Sequence, residues 1–286
     1  MKNFYPTFIT RITFYLLMPL FVMVFMSYPA RADTDKIRIV SLTPHITNIL
    51  FDIGAGDNVV GTPFTYKNEH PDIPNIGGFM NPSVEKIVSL SPNLIIGSSA
   101  SARPELINKL RNMGYRVEMV NEDSLVDIYR SIITIGMLTG KKENAKKIMS
   151  VMQIQIGELE YSIKDKPRKT VFYQVWETPL MTIGKESYIR EILMKAHLRP
   201  ITIDAEYGRI SIEDVIKADP DVILIPYEST MNVDVNIFVK AWDKYPQMKA
   251  VKNHQVLIIN SDNLHMPGSG LVKGLHDVIE VVWGIK

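Results

Sequence analysis

The chain has 286 residues, of which 46% are hydrophobic and 22% charged, and its formal net charge at pH 7 is +1. A charge so close to zero gives no long-range attraction to nucleic acid or to an anionic membrane surface, so we expect no nucleic-acid partner. The chain contains no cysteine, which excludes disulfide bonds, cysteine nucleophiles and a lipid-modified cysteine anchor.

Residues 1–32 predict a secretory signal peptide. Lys2 and Arg11 precede an apolar run over residues 12–26, and Ala30 and Ala32 stand at the two positions that a signal peptidase reads. A retained membrane anchor is the alternative, but the run is shorter than the ~20 apolar residues that a spanning helix needs. We therefore expect cleavage of this segment and a mature protein in the periplasm.

Residues 33–140 predict an N-terminal α/β lobe, because apolar strands alternate with amphipathic helices. The predicted strands are 36–42, 59–62, 94–96 and 116–120, and the predicted helices are 43–53, 83–91, 104–113 and 125–138. Between them, residues 63–82 predict a long loop rich in proline, glycine and aromatic residues. Loops of this length in compact domains are usually functional.

Residues 141–166 predict a long helix that bridges two lobes. Its apolar residues recur at a spacing of three and four and form one stripe: Ala145, Ile148, Met152, Ile156, Leu159 and Ile163. A helix of this length is roughly 35 Å long at 1.5 Å per residue, about the width of a small domain. The alternative is an ordinary surface helix within one domain.

A repeat on either side of this helix favours the bridge. Residues 211–224 match residues 83–96 in register, so that Glu213 stands 128 residues after Glu85. Residues 167–286 then predict a C-terminal α/β lobe. Its predicted strands are 170–176, 222–225 and 256–259, its helices are 187–196, 211–219, 235–242 and 271–283, and its loops are 176–184, 200–210 and 260–270. The carboxyl ends of the strands in the two lobes are expected to face a shared cleft.

Glu85 and Glu213 occupy equivalent places in the first turn of the two repeated helices. One interpretation is local, since a carboxylate near a helix N-terminus complements the exposed N–H groups. The other is that two equivalent acids on two lobes match a partner that is itself a symmetric dimer. The residues alone leave both interpretations open.

Aromatic residues gather in the predicted strand-exit loops and not in the helices: Phe64, Tyr66, Phe79, Trp176 and Tyr207. Flat, stiff side chains in a cleft suit a large, flat, partly apolar ligand. The alternative is that they pack these loops onto the lobes.

The sequence carries no signature of catalysis. The six histidines lack the paired spacing of protein-built zinc sites, GxSxG is absent, and the pair Gly54 and Gly56 lacks the third glycine of the dinucleotide-binding pattern. We therefore expect no catalytic residue, no cofactor and no metal site of the protein's own. His45 and His265 lie on predicted cleft loops and could meet a metal that is held within a ligand.

Four ordered segments resemble the periplasmic binding proteins of ABC importers for cobalamin, ferric siderophores and haem, and most of all the cobalamin-binding subgroup. They are residues 38–48 (RIVSLTPHITN), 53–61 (IGAGDNVVG), 76–87 (IGGFMNPSVEKI) and 175–185 (VWETPLMTIGK). Two positions depart from the subgroup. Ser98 stands where some cobalamin binders carry tryptophan, and Met266 stands where many relatives carry arginine.

The resemblance implies the class III periplasmic binding protein fold, with two Rossmann-like lobes, a rigid bridging helix and little domain closure. It implies that Glu85 and Glu213 match the family's docking glutamates and meet arginines on the two subunits of an inner-membrane ABC permease. It also places Tyr66, Phe79 and Tyr207 where cobalamin binders carry cleft aromatics.

The resemblance thus predicts a binding protein that captures a corrinoid and performs no reaction. The predicted ligand-contacting residues are Tyr66, Phe79, Trp176, Tyr207, His45 and His265. The alternatives are a haem or ferric-siderophore receptor of the same fold and an enzyme built on that fold, such as a metal chelatase.

Overall fold

A computed structural model describes residues 36–64, 72–101, 103–204, 207–231 and 233–285. The predicted signal peptide, residues 1–32, and Tyr66 lie outside these ranges. From Ile37 onward the chain clusters as a single compact unit. The expected division at residues 33–140, 141–166 and 167–286 therefore stays a prediction.

The first half of the described chain forms a sheet with the strand order β4-β3-β2-β1-β5-β6. Its strands are β1 (Ile39–Ser41), β2 (Val59–Phe64), β3 (Asn75–Gly78), β4 (Asn81–Pro82), β5 (Leu94–Ser98) and β6 (Val117–Val120). All neighbouring pairs are parallel except β3 with β4. Every residue of β1 and β5 is buried, as expected for parallel strands covered on both faces.

Helices connect these strands and cover the sheet. They are α1 (Pro44–Asp52), α2 (Val84–Ser89), α3 (Pro104–Asn112) and α4 (Leu125–Leu138). Ser83 caps α2 and Ser124 caps α4, because each side chain accepts a hydrogen bond from the backbone N–H three residues later. Proline occupies the first helical position of α1 and α3, where its missing N–H costs nothing.

The prediction of a single loop over residues 63–82 is wrong in part, because β3 and β4 lie within it and pair as a short antiparallel hairpin. Gly77 allows the backbone to form this hairpin. Its φ of +112° is rarely adopted by L side chains, and a Cβ there would lie 3.1 Å from the carbonyl oxygen of Asn81. The hairpin carries Phe79 at its tip.

The second half forms a parallel sheet with the order β12-β11-β7-β9, and a separate antiparallel pair, β8 with β10. The strands are β7 (Lys169–Tyr173), β8 (Met181–Ile183), β9 (Leu198–Pro200), β10 (Tyr207–Arg209), β11 (Val222–Tyr227) and β12 (Val256–Asn260). The predicted loops 176–184 and 200–210 therefore each contain strand residues.

The helices of the second half are α6 (Tyr188–Lys195), α7 (Ile212–Ala218), α8 (Asn236–Lys240), α9 (Lys249–Lys252) and α10 (Leu271–Trp283). The helix predicted over residues 235–242 is shorter than expected. Ser211 caps α7 through the N–H of Asp214, just as Ser83 caps α2 through the N–H of Lys86. The two copies of the sequence repeat thus adopt the same local structure, a serine-capped helix that leads into a buried parallel strand.

A long helix, α5 (Lys142–Ser162), joins the two halves. The predicted stripe is on its buried side, since Ala145, Met152 and Ile156 are at most 3% exposed and Ile163 is fully buried. These residues belong to one apolar cluster that also contains core residues of the six-stranded and the four-stranded sheet, among them Ile96 of β5 and Leu224 of β11. Gly136 permits a close approach of α4, because a Cβ there would lie 2.4 Å from that of Ala145.

Polar contacts add to this shared core. The side-chain amide of Asn144 donates to the carbonyl of Ile53, and Lys195 pairs with Glu160 at 2.9 Å. The backbone N–H at the start of α4, Leu125, donates to Glu191 of α6 at 3.2 Å. The two sheets are therefore tied through α4, α5 and α6. Within the described ranges, no helix has the length and apolarity needed to cross a bilayer.

Candidate functional site

Ligands of parallel α/β sheets bind at the carboxyl ends of the strands, where loops leave the sheet. In the first sheet β1, β5 and β6 are adjacent, so the residues that follow them lie side by side. These residues include His45 in the first turn of α1, Ser98 at the end of β5, and Glu122 two positions after β6.

These three side chains make contact and form what we call the Glu122 cluster (His45, Ser98 and Glu122). The hydroxyl of Ser98 donates to Oε2 of Glu122 at 2.5 Å. Nε2 of His45 lies 3.6 Å from Oε1 of Glu122, with exposed side-chain fractions of 11% and 3%. Thr43, the N-cap residue of α1, places its hydroxyl oxygen 3.3 Å from the same Nε2.

The Glu122 cluster contains an unsatisfied acceptor. Oε1 of Glu122 is buried and accepts no hydrogen bond from any described residue. The 3.6 Å separation from His45 is too long for a hydrogen bond. Leaving a buried polar atom unpaired costs about 1–3 kcal/mol, so such an atom in a folded protein calls for an explanation.

Sequence reasoning missed Glu122. The available signal was a carboxylate directly beyond an apolar strand of a parallel sheet, the position at which such sheets place functional groups. That signal identifies a place in the fold and says nothing of burial, which here depends on residues 24 and 77 positions away, Ser98 and His45.

A pocket adjoins the Glu122 cluster. Its lining includes Thr43, Phe79, Met80, Ser98, Arg103 and Met119. Phe79, at the tip of the β3–β4 hairpin, is 45% exposed. Phe79 is thus available to a ligand at the carboxyl edge of the first sheet.

In the second half, Trp176 and Tyr207 both pair with residues of the short strand β8. Trp176 forms an antiparallel bridge with Met181 of β8, and Tyr207 of β10 pairs with Ile183, two residues further along β8. Trp176 is 54% exposed and Tyr207 is 59% exposed. The structure therefore groups two of the predicted ligand-contacting residues, which the sequence separates by a whole helix and two strands.

His265 lies in the loop after β12, and its Nε2 is hydrogen-bonded to the hydroxyl of Tyr173 at 2.8 Å. Burial lowers the pKa of His265 from 6.5 to about 4, so the imidazole is neutral at pH 7. Burial also raises the pKa of Tyr173 well above its usual range. One ring nitrogen of His265 is thus committed to a side chain of the core, and the predicted ligand contact of this residue stays a prediction.

Glu85 and Glu213 are both exposed, and each lies in the first turn of its capped helix, as the sequence predicts. The pKa of Glu85 is below its ordinary value because the carboxylate accepts hydrogen bonds from its own backbone N–H and from Ser83. Both acids are therefore available to a partner.

Among the described residues, one group could approach a metal ion with three side chains, namely His276, Asp277 and Glu280 on α10, whose ligand atoms lie within 4.8 Å of one another. Asp277 already pairs with Lys273 at 2.9 Å. Charged groups of this kind are common on helix surfaces without a metal.

The chain belongs to the periplasmic binding protein family, whose model matches residues 39–263. An ABC transporter substrate-binding lipoprotein of Bacillus subtilis is 30% identical over 256 residues, which are 86% of this chain and 80% of the relative. A vitamin B12-binding protein of Vibrio cholerae is 27% identical over 234 residues, 80% of this chain and 83% of the relative.

Solved structures agree with this assignment. The periplasmic vitamin B12-binding protein of Vibrio cholerae superimposes with a TM-score of 0.73 at 25% identity, over 85% of this chain and 94% of that one. A periplasmic haem-binding protein of Roseiflexus gives a TM-score of 0.70 at 23% identity, over 85% and 98% of the two chains, and shows the fold alone. The predicted family and the α/β periplasmic binding protein fold are thus confirmed. These relatives are solute-binding proteins, which also confirms the prediction that the chain is a binding protein and not an enzyme.

The burial of His265 predicts a loss of stability in acid. The folded pKa of His265, about 4, lies below its ordinary value of 6.5, so the unfolded chain binds the extra proton between these two pH values. The contribution is complete above pH 6.5 and is lost as the pH falls toward 4, by at most about 3 kcal/mol. In His265→Gln, which can still bond Tyr173 but does not titrate, we expect this part of the pH dependence to vanish.

Chemical denaturation between pH 4 and 7 measures this difference. The control is His254→Asn, which removes an exposed histidine with a positive φ that asparagine tolerates. If His265→Gln kept the wild-type slope of unfolding free energy against pH, the proposed coupling between protonation of His265 and unfolding would be wrong.

Proposed function

We propose that this chain is the solute-binding component of an ABC importer and that its solute is a corrinoid such as cobalamin. The observation that carries the proposal is the placement of exposed aromatic side chains, Phe79 in one half and Trp176 and Tyr207 in the other, on loops and short strands outside the cores. Such side chains offer a flat ligand large contact area at little conformational cost.

The choice of a corrinoid rests on likeness, since the Vibrio cholerae relative at 27% identity is named for vitamin B12 binding. A haem or ferric-chelate receptor is the second candidate. Haem-binding proteins share the fold, and Ser98 and Met266 depart from the cobalamin-binding pattern. In either case the ligand would lie between the two halves, with His45 and His265 near it.

In this proposal the protein acts in the periplasm, after export directed by residues 1–32 and cleavage of that segment. The Bacillus subtilis relative is named a lipoprotein, whereas this chain has no cysteine to carry a lipid. The proposed partner is an inner-membrane permease whose two subunits each meet one acid, Glu85 or Glu213. Their positions in equivalent capped helices support a twofold partner.

Calorimetric titration against cyanocobalamin, haemin and a ferric hydroxamate tests which of these ligands the protein binds. We expect cyanocobalamin to bind and Phe79→Ala and Tyr207→Ala each to weaken binding by about 1–3 kcal/mol through lost aromatic burial. Tyr161→Ala is the control, because Tyr161 is 69% exposed on α5, away from the strand ends. Binding of haemin alone would reject the corrinoid, and unchanged affinity in both cleft variants would reject the site.

Replacing both Glu85 and Glu213 by alanine tests the docking surface. We expect ligand affinity to stay within about twofold, since both acids lie on exposed helix turns, while uptake into cells collapses. The matched control replaces two other exposed first-turn acids, Glu105 and Glu143, and should leave uptake intact. Normal uptake by the Glu85/Glu213 double variant would contradict the proposed docking role.

A further inference from the structure

The Glu122 cluster has the features of a binding subsite whose ligand group is a hydrogen-bond donor. Oε2 of Glu122 is satisfied by Ser98, whereas Oε1 accepts nothing from the described residues although the side chain is only 3% exposed. The fold thus holds one carboxylate oxygen in a fixed place and leaves it unpaired.

The Glu122 cluster adjoins the pocket that Phe79 lines. Ser98, which holds Glu122, and Thr43, which approaches His45, both line that pocket. His45 is the outermost member of the cluster, with 11% of its side chain exposed. A group that enters beside Phe79 would therefore meet the cluster on its His45 side, where Nε2 of His45 and Oε1 of Glu122 face each other at 3.6 Å.

The chemistry of the two facing atoms selects that group. When the hydroxyl of Thr43 donates to Nε2 of His45, Nε2 is an acceptor that faces a second acceptor, Oε1, at 3.6 Å. A primary carboxamide carries two N–H donors and can satisfy both atoms. A carboxylate brings only acceptors and a negative charge, which the buried carboxylate of Glu122 would repel, and the cation of the pocket lining, Arg103, is exposed and donates to Asn81 instead.

We propose that Glu122 and His45 form a subsite for a peripheral carboxamide of the ligand and reject a carboxylate at the same place. The proposal rests on the proposed function, capture of a flat macrocycle at this edge of the sheet. Corrinoids carry peripheral carboxamides, whereas haem carries carboxylates, so the subsite discriminates between the two leading candidates.

The test compares matched amide and acid forms of one macrocycle. Wild type, Glu122→Gln and the control Glu118→Gln are titrated with dicyanocobinamide and with dicyanocobyrinic acid, whose peripheral groups are carboxylates. Glu118 lies on β6, four residues before Glu122, and pairs with Arg116 at the surface, so Glu118→Gln is a matched loss of one acid. We expect wild type to prefer the amide form, and Glu122→Gln to lose about tenfold or more of that affinity and most of the preference, with Glu118→Gln unchanged.

A folded Glu122→Gln protein that binds the amide form within about twofold of wild type would overturn the subsite. Circular dichroism melting checks the fold. Should Glu122→Gln fail to fold, His45→Leu, which keeps the Ser98–Glu122 bond, must weaken the amide form for the proposal to stand, and unchanged affinity overturns it.

The same design separates the subsite from the corrinoid function. If wild type takes haemin and no corrinoid, the corrinoid function fails, and the subsite is then judged with haemin and its diamide. Tighter binding of the diamide that Glu122→Gln removes supports the subsite, and equal binding overturns it. Failure of every macrocycle to bind would overturn both.

Discussion

The structure depends on the buried side of α5. Ala145, Met152 and Ile156 pack into an apolar cluster that also contains strand residues of the six-stranded and the four-stranded sheet. Moving one sheet relative to the other would open that cluster and expose apolar surface at roughly 25 cal/mol per Å². The hydrogen bond from Leu125 to Glu191 and the ion pair of Lys195 with Glu160 act in the same direction. We therefore expect a ligand to bind to surfaces that are already in position.

Preformed surfaces suit a rigid, bulky solute, because little of the binding free energy is spent on ordering the protein. In the proposed site, exposed aromatics would supply contact area, and Oε1 of Glu122, which accepts no hydrogen bond from the described residues, would supply a directional acceptor that is already desolvated in the folded protein. The capped helices α2 and α7 present Glu85 and Glu213 to solvent in equivalent settings. Recognition of the solute and of the transporter would thus use separate parts of one stiff body.

Elements with strong local signals were predictable from sequence, and elements that depend on distant partners were not. Helices α4 and α10 have the predicted bounds, because a serine cap or a following glycine marks their ends and the apolar period is clear. Strands β3 and β10 were missed because each has only a few residues, includes glycine and exists through pairing with another strand. The Glu122 cluster and the Tyr173–His265 hydrogen bond join residues far apart in sequence, so no local sequence pattern predicts them.

The separation of the two sheets, which we expect to be fixed, can be measured by electron-electron double resonance. The absence of native cysteine allows clean spin labelling of Lys109→Cys on α3 and Lys217→Cys on α7, both exposed. We expect one narrow distance distribution whose centre moves by less than about 2 Å when a saturating ligand is added. A broad or bimodal distribution, or a larger shift on binding, would contradict this expectation.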